Sequence, residues 1–265
     1  MHVLMPKENA RGLLNKVPEV TLWFWIIKIL ATTVGETAAD FLNFNLNVGL
    51  TGTSLLMSAL LAAFLIVQVR TRAYVPWVYW VAVVLISIVG TLISDNLVDN
   101  LGVALETTTI VFAIALVATF GAWYWSERTL SIHTIVTLRR ELFYWAAILF
   151  TFALGTAAGD LASEGLSLGY ATAALGFAGA IAVVAVAHFG FKANAVATFW
   201  IAYILTRPLG ASLGDYLSQP VADGGLGLGA VVTSVAFLAT ILALVAYLTI
   251  TRKDVLDPVA IESVS

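Results

Sequence analysis

Cysteine is absent from this 265-residue chain, which removes disulfides, thiolate metal ligands and cysteine nucleophiles together. Histidine is nearly absent, with three residues, and none falls at the depth of the polar stripes described below; that argues against copper and, less strongly, against zinc. Charge is scarce as well. Asp, Glu, Lys and Arg make up 11% of the chain and hydrophobic residues 60%, where soluble domains carry about 25% charged residues. A mean hydropathy of +0.96 completes the case against an ordinary soluble domain. No nucleotide-binding motif, no cleavable signal peptide and no soluble effector domain is visible, and nothing suggests a nucleic-acid partner.

What is present is a set of eight apolar runs, at about 19–41, 50–70, 77–99, 105–126, 143–163, 170–190, 198–218 and 230–251. Each is long enough for a helix crossing a bilayer, which takes roughly 20 residues. The expected fold is therefore an all-α polytopic membrane protein of eight transmembrane helices. Of the 13 Lys and Arg, 11 fall on one side of this arrangement: Lys7, Arg11, Lys16, Arg70, Arg72, Arg128, Arg139, Arg140, Lys192, Arg252 and Lys253. The positive-inside rule then puts both termini in the cytoplasm. The opposite half holds Glu36, Asp40, Asp95, Asp99, Glu106, Asp160, Glu164, Asp215 and Asp223. All eight Trp lie at the basic ends of the runs, where an interfacial-anchor role is expected.

One spacing recurs four times. Phe24-Trp25, Tyr79-Trp80, Tyr144-Trp145 and Phe199-Trp200 each precede a Gly (Gly35, Gly90, Gly155, Gly210) by one interval, and each Gly precedes an Asp (Asp40, Asp95, Asp160, Asp215) by another. The loops echo one another too: Leu46-Asn47-Val48-Gly49, Leu101-Gly102-Val103-Ala104, Leu166-Ser167-Leu168-Gly169 and Leu226-Gly227-Leu228-Gly229. The chain divides into an N-terminal segment 1–18, an eight-helix domain 19–252 with repeats at about 19–72, 75–126, 140–192 and 195–252, and a tail 253–265. Each repeat holds two spans and reads as a helical hairpin. All four then share one orientation, related by an axis along the membrane normal. Four tandem two-helix units with a repeated Trp resemble a bacterial family of uncharacterised membrane-anchored proteins built from repeats of unknown function. The resemblance covers roughly residues 17–252 and implies a topology without an activity.

With the odd runs aligned on their Gly, the positions three before, one after and five after it share one helix face. They read Thr32, Glu36 and Asp40 in the first repeat, Ser87, Thr91 and Asp95 in the second, Phe152, Thr156 and Asp160 in the third, and Arg207, Ala211 and Asp215 in the fourth. Lys28 extends the first stripe toward the basic end, where it is placed to snorkel to the interface or to enter the bundle. Such stripes are too costly to face lipid and should line the bundle interior. Each Gly is followed four residues later by Ala39, Ser94, Gly159 or Gly214, a small-xxx-small pattern for close helix contact. Arg207 needs a carboxylate, with Asp215, Glu36 or Asp40 in reach, and Pro208 beside it suggests a kink.

Asp40, Asp95, Asp160, Asp215 and Glu36 outnumber Lys28 and Arg207, so the interior should attract a cation. Carboxylates together with Thr32, Ser87, Thr91 and Thr156 form an all-oxygen donor set suited to hard ions such as Mn²⁺, Mg²⁺ and Ca²⁺. The expected function is a secondary transporter, an exporter, of a small divalent cation in the bacterial inner membrane, with manganese favoured. The four Asp and Glu36 would be metal ligands, and Arg207 and Lys28 gating or counter-ion residues. No cofactor is expected beyond that cation as substrate, and the partners are the bilayer and a small cation or proton; a homo-oligomer is compatible with the sequence. Three other readings stand beside it: a proton-coupled transporter of an organic solute bound through Arg207 and Lys28, a non-catalytic scaffold or sensor, and an intramembrane aspartyl protease. The last is disfavoured because Gly-Asp pairs occur only at Gly159-Asp160 and Gly214-Asp215, so no enzyme activity is expected.

Overall fold

The computed structural model describes residues 15–45 and 49–255. Lys7, Arg11, the loop residues Leu46, Asn47 and Val48, and most of the C-terminal tail lie outside the described residues. Regular structure among the described residues is helical throughout: α1 (Leu22–Asn45), α2 (Gly49–Arg70), α3 (Pro76–Asp95), α4 (Leu105–Glu127), α5 (Leu138–Asp160), α6 (Tyr170–Phe189), α7 (Ala195–Ser218) and α8 (Ala230–Thr251). All eight are long and apolar enough to span a membrane. Their starts are marked in the sequence. Pro76 occupies the first turn of α3, where its missing N–H costs nothing. Thr137 and Asn194 accept hydrogen bonds from backbone N–H groups of α5 and α7. Gly169 and Gly229 enter α6 and α8 at φ 76° and 81°, a conformation open to glycine. α3 and α5 each run on into one π turn, Asn96–Asn100 and Leu161–Gly165.

The odd helices form a closed inner ring in which α1 packs on α3, α3 on α5, α5 on α7 and α7 on α1. Of their most apolar windows 56–78% is buried, against 11–28% for the even helices, which form the outer layer. The hairpin expectation is corrected here. The two helices of one repeat make little contact. Instead α2 packs on α3, α4 on α5, α6 on α7 and α8 on α1. Each even helix is thus handed to the next repeat, and the last closes onto the first. The apolar surface of an odd helix is covered by its two ring neighbours and by the even helix of the preceding repeat, so no repeat buries its own core.

The ring is held by two fourfold features of the sequence. At the basic end the first aromatic of each pair meets the Trp of the next repeat, with centroid separations of 5.7 Å for Phe24–Trp80, 5.6 Å for Tyr79–Trp145, 6.2 Å for Tyr144–Trp200 and 5.7 Å for Phe199–Trp25. Tyr79 and Tyr144 also share a hydrogen bond of 2.5 Å between their hydroxyls. Trp80, Trp145 and Trp200 are buried and Trp25 is half-buried. The repeated Trp is therefore a ring-closing core residue, not the interfacial anchor expected from its depth. Trp77 and Trp125, which lie outside the repeated position, are the exposed ones.

One level further in, the residue three before each Gly seats on the Gly of the preceding repeat. A Cβ on Gly35 would collide with Ser87, one on Gly90 with Phe152, one on Gly155 with Arg207, and one on Gly210 with Thr32. A glycine recurs at this position of each repeat because the inner helices cross at these four points with no room for a side chain.

Candidate functional site

Above the glycine seats the polar stripes face inward, as expected. Thr32, Ser87, Phe152 and Arg207 are fully buried, as are Thr91, Thr156 and Ala211, and Glu36 is 5% exposed. Arg207 ties the four inner helices together. From α7 its Nη1 donates to the Thr32 carbonyl at 2.7 Å, and its Nη2 donates to Glu36 Oε2 at 2.8 Å, to Thr156 Oγ1 at 2.6 Å and to Thr91 Oγ1. Glu36 is thereby the carboxylate that pairs with it, one of the three candidates. In this low-dielectric interior the pair is supported by the further bonds that Nη1 and Nη2 make to the Thr32 carbonyl, Thr91 and Thr156. α7 continues as helix through Pro208, which packs beside Gly155 and Gly159.

Lys28 does not snorkel. It is fully buried with Nζ 4.2 Å from the ring centroids of both Phe152 and Tyr203, a double cation–π contact. Phe152 also lies 5.6 Å from the Arg207 guanidinium carbon, so one ring stands between the two cations. Lys28 Nζ, Ser87 Oγ, Tyr203 OH and Arg207 Nε find no hydrogen-bond partner among the described residues.

Toward the acidic end the five expected ligands separate into two groups. Glu36, Asp160 and Asp215 each offer one oxygen, and the three oxygens lie within 4.8 Å of one another. They come from α1, α5 and α7. Asp40 and Asp95 are outside this triad. Both are half-buried, and Asp40 accepts a 3.4 Å hydrogen bond from Gln219, a residue past the end of α7 that the stripe pattern did not include. Asp95 ends α3 and Asp160 ends α5, each directly before a π turn. Asp99 and Glu164 are exposed in those turns, and Glu164 accepts from the Tyr170 hydroxyl at 2.9 Å. The triad follows from the repeat arithmetic with one displacement. Glu36 lies one turn deeper than the four Asp, so three oxygens from two levels converge where all five carboxylates were expected to serve as ligands.

The basic end is closed by a clasp that sequence reading missed. Lys16 Nζ donates to Glu141 at 2.7 Å and to the Val69 carbonyl at 2.8 Å, and Gln68 donates to the other Glu141 oxygen at 3.3 Å. Tyr74 donates to Asp254 at 2.5 Å, and burial together with that carboxylate holds the Tyr74 phenol well above its ordinary range. Burial likewise raises Asp254. His133 in the α4–α5 loop sits 3.4 Å from Glu19, whose hydrogen bond raises the imidazole pKa. Trp200 reaches the same loop, donating to the Leu130 carbonyl at 2.9 Å. The loop is thus docked to the bundle.

Four segments of the chain, 23–74, 78–129, 143–194 and 198–254, match the family described as Repeat of Unknown Function (DUF347). They coincide with the four repeats seen in the fold. No curated protein and no solved structure matches the chain.

Proposed function

The chain belongs to the Repeat of Unknown Function family, whose description carries no activity, and we propose from the site that it is a secondary transporter of a small hard cation. Manganese is the favoured substrate. The observation that supports this is the triad of Glu36, Asp160 and Asp215, three carboxylate oxygens within 4.8 Å of one another on three different inner helices. Carboxylate oxygens at that spacing suit an octahedral divalent ion that keeps some of its waters. Asp40 and Asp95, half-exposed nearby, would gather the ion toward the triad.

Glu36 gives the site a coupling element. Its Oε2 belongs to Arg207 in this conformation, so a cation that takes Glu36 as ligand competes with the guanidinium. Weakening that bond loosens a side chain that joins all four inner helices. Ion binding and helix rearrangement are then linked through a single carboxylate. The aromatic ring beneath Lys28 is the closed end of the path, and the Asp ring its open end. On the positive-inside rule the closed end faces the cytoplasm of a bacterial inner membrane, and we assign the direction as export. No covalent step is assigned to the protein.

The test is the elemental content of cells challenged with a panel of metals, comparing wild type, empty vector and Asp160→Asn/Asp215→Asn at equal expression. A fall in one metal with the wild type that the double variant loses supports the proposal. No difference for any metal overturns it.

A second reading rests on Lys28, Ser87, Tyr203 and Arg207 Nε, four buried donors without a protein acceptor. Donors of this kind suit an anionic organic solute carried with protons. Under that reading Lys28→Met abolishes uptake or export of the solute, whereas a metal transporter with Lys28→Met keeps its response to the metal.

A further inference from the structure

A cleft of about 550 Å³ opens between α1 and α6 in the basic half of the bundle, within the roughly 300–1,000 Å³ range of ligand sites. Its floor is α7, with Phe199, Ala202 and Thr206, and the docked α4–α5 loop lies across its basic end. It exists because the third repeat departs from the other three. Counted from Leu50, Leu105, Tyr170 and Ala230, the residues that follow the four echoing loop motifs, Gln68, Trp123, His188 and Leu248 occupy equivalent positions. Gln68, Trp123 and Leu248 are buried, at 1%, 0% and 0% exposure. Each helps close the gap between its even helix and the inner helix beyond. Gln68 bonds Glu141 of α5, and Trp123 packs edge-on against Trp200 of α7 at 5.8 Å. His188 instead is half-buried and turns to Thr198 of α7, with Nδ1 and Oγ1 2.9 Å apart. The cleft lies beside it, lined by α1 on one side and α6 on the other.

We propose that this cleft seats an acyl chain of an anionic phospholipid drawn from the leaflet at the basic end. The lining is mostly apolar and lies within the lengths of the membrane-spanning helices α1, α6 and α7, so its occupant enters sideways from the bilayer. The basic end supplies the headgroup chemistry. Arg128 stands two residues before Leu130 and Lys192 three residues after Phe189, both exposed and both next to lining residues. Cationic side chains at that level attract anionic headgroups. The acidic groups at this end are engaged within the protein: Glu19 by His133, Glu127 by Arg140, Glu141 by Lys16 and Asp254 by Tyr74. His188, with Nδ1 facing Thr198, keeps Nε2 for an ester or phosphate oxygen. A chain lying there would fill the gap beside His188 and would brace α1 against α6 next to the docked loop. This assignment is independent of which ion or solute the protein carries.

The test uses the full chain, delipidated and titrated with phosphatidylglycerol or phosphatidylcholine under native mass spectrometry. Wild type should retain one phosphatidylglycerol per chain and bind phosphatidylcholine at least tenfold more weakly. His188→Trp, which installs the residue of the second repeat, and Ala185→Phe should each lose that lipid, while Val183→Phe on the exposed face of α6 should keep it. A second measurement needs no cleft-filling variant. Phosphatidylglycerol with brominated chains should quench a component of the tryptophan emission that Trp25→Phe removes. Equal retention by wild type and both cleft-filling variants, equal binding of the two lipids, or quenching unaltered in Trp25→Phe would each overturn the proposal. So would recovery of a non-lipid solute from the cleft in place of phosphatidylglycerol.

Discussion

Replacing Glu36 by Leu would leave the Arg207 guanidinium fully buried with only neutral acceptors. Breaking a buried ion pair by removing one partner costs about 3–5 kcal/mol. Because Thr91, Thr156 and the Thr32 carbonyl remain as acceptors, the lower end, about 3 kcal/mol, is expected. Arg207→Met alone should cost about as much, since it strands the Glu36 carboxylate beside Asp160 and Asp215. The double variant is the informative one. Thr91 and Thr156 keep their own backbone acceptors, Ser87 at 3.3 Å and Phe152 at 3.2 Å, and the Thr32 hydroxyl keeps Ile29 at 2.6 Å. With both charges gone the side chains that Arg207 bonded keep these partners and the Thr32 carbonyl lies within α1, so Glu36→Leu/Arg207→Met should lie within about 1 kcal/mol of wild type. The assay is a double-mutant cycle on the purified protein, unfolded by sodium dodecyl sulfate in mixed micelles and followed by circular dichroism. If the double variant instead costs about 6 kcal/mol, the sum of two independent losses, the pair is not a unit and the argument that Glu36 links the site to the bundle fails.

Three further outcomes follow from the same geometry. Gly155→Ala places a Cβ 2.5 Å from Arg207 Cβ and 3.0 Å from Pro208 Cδ, and should destabilise by about 1–3 kcal/mol in the same unfolding assay; Gly121→Ala, with open space around it, should instead stabilise by up to about 1 kcal/mol. Tyr79→Phe removes the partner of the buried Tyr144 hydroxyl and should cost about 1–3 kcal/mol, recovered in part by the paired Tyr79→Phe/Tyr144→Phe change. For His133 the imidazole pKa is raised by Glu19, so its contribution to stability is fully present below the unfolded value of about 6.5 and is lost as pH rises through the folded value. A pH series of unfolding midpoints should show this decline in wild type and lack it in His133→Gln.

The eight spans, their boundaries and the inward polar stripes were legible because each depends on local pattern: apolar run length, turn glycines, and four-residue periodicity. The role of the repeated Trp was not. A Trp near the end of a span reads as an anchor from depth alone, and whether Trp80 or Trp145 faces lipid or the neighbouring helix depends on how helices are arranged around the ring. The hand-over of even helices was hidden for the same reason. Chain order makes α1 and α2 neighbours, while burial makes α2 the cover of α3. At the site, periodicity brought Glu36, Asp160 and Asp215 to one face but not to one level. It also implied that Asp40 and Asp95 would join them, although Asp40 turns to Gln219. The fate of Lys28 turned on Phe152 and Tyr203, residues from two other repeats. The cleft had a sequence signal that comparison of equivalent positions exposes: His188 stands where the other repeats place Gln68, Trp123 and Leu248.

A ring of four equal subunits would present four equal side chains at every level of its axis. Four carboxylates at one level repel one another, and four glycine seats leave no group to sense an ion. Tandem repetition in one chain removes that constraint, because each repeat can vary alone. The variation in this protein is confined to a few ring positions. The Gly and its contact partner hold the geometry in all four repeats, while the contact partner itself changes from Thr32 to Ser87, Phe152 and Arg207. At the next level only the first repeat carries a carboxylate, Glu36, and only Arg207 from the last reaches it. The charged pair therefore spans the junction between α7 and α1, where the end of the repeat array meets its beginning. The lateral cleft lies at that same junction, between α6 and α1. Symmetry supplies a closed and tightly crossed scaffold, and the departures from it gather at one seam. Separating α7 from α1 would break the buried ion pair together with the Thr32–Gly210 seat and the Phe199–Trp25 contact, so the charge that senses an ion sits at a seam that close packing also holds.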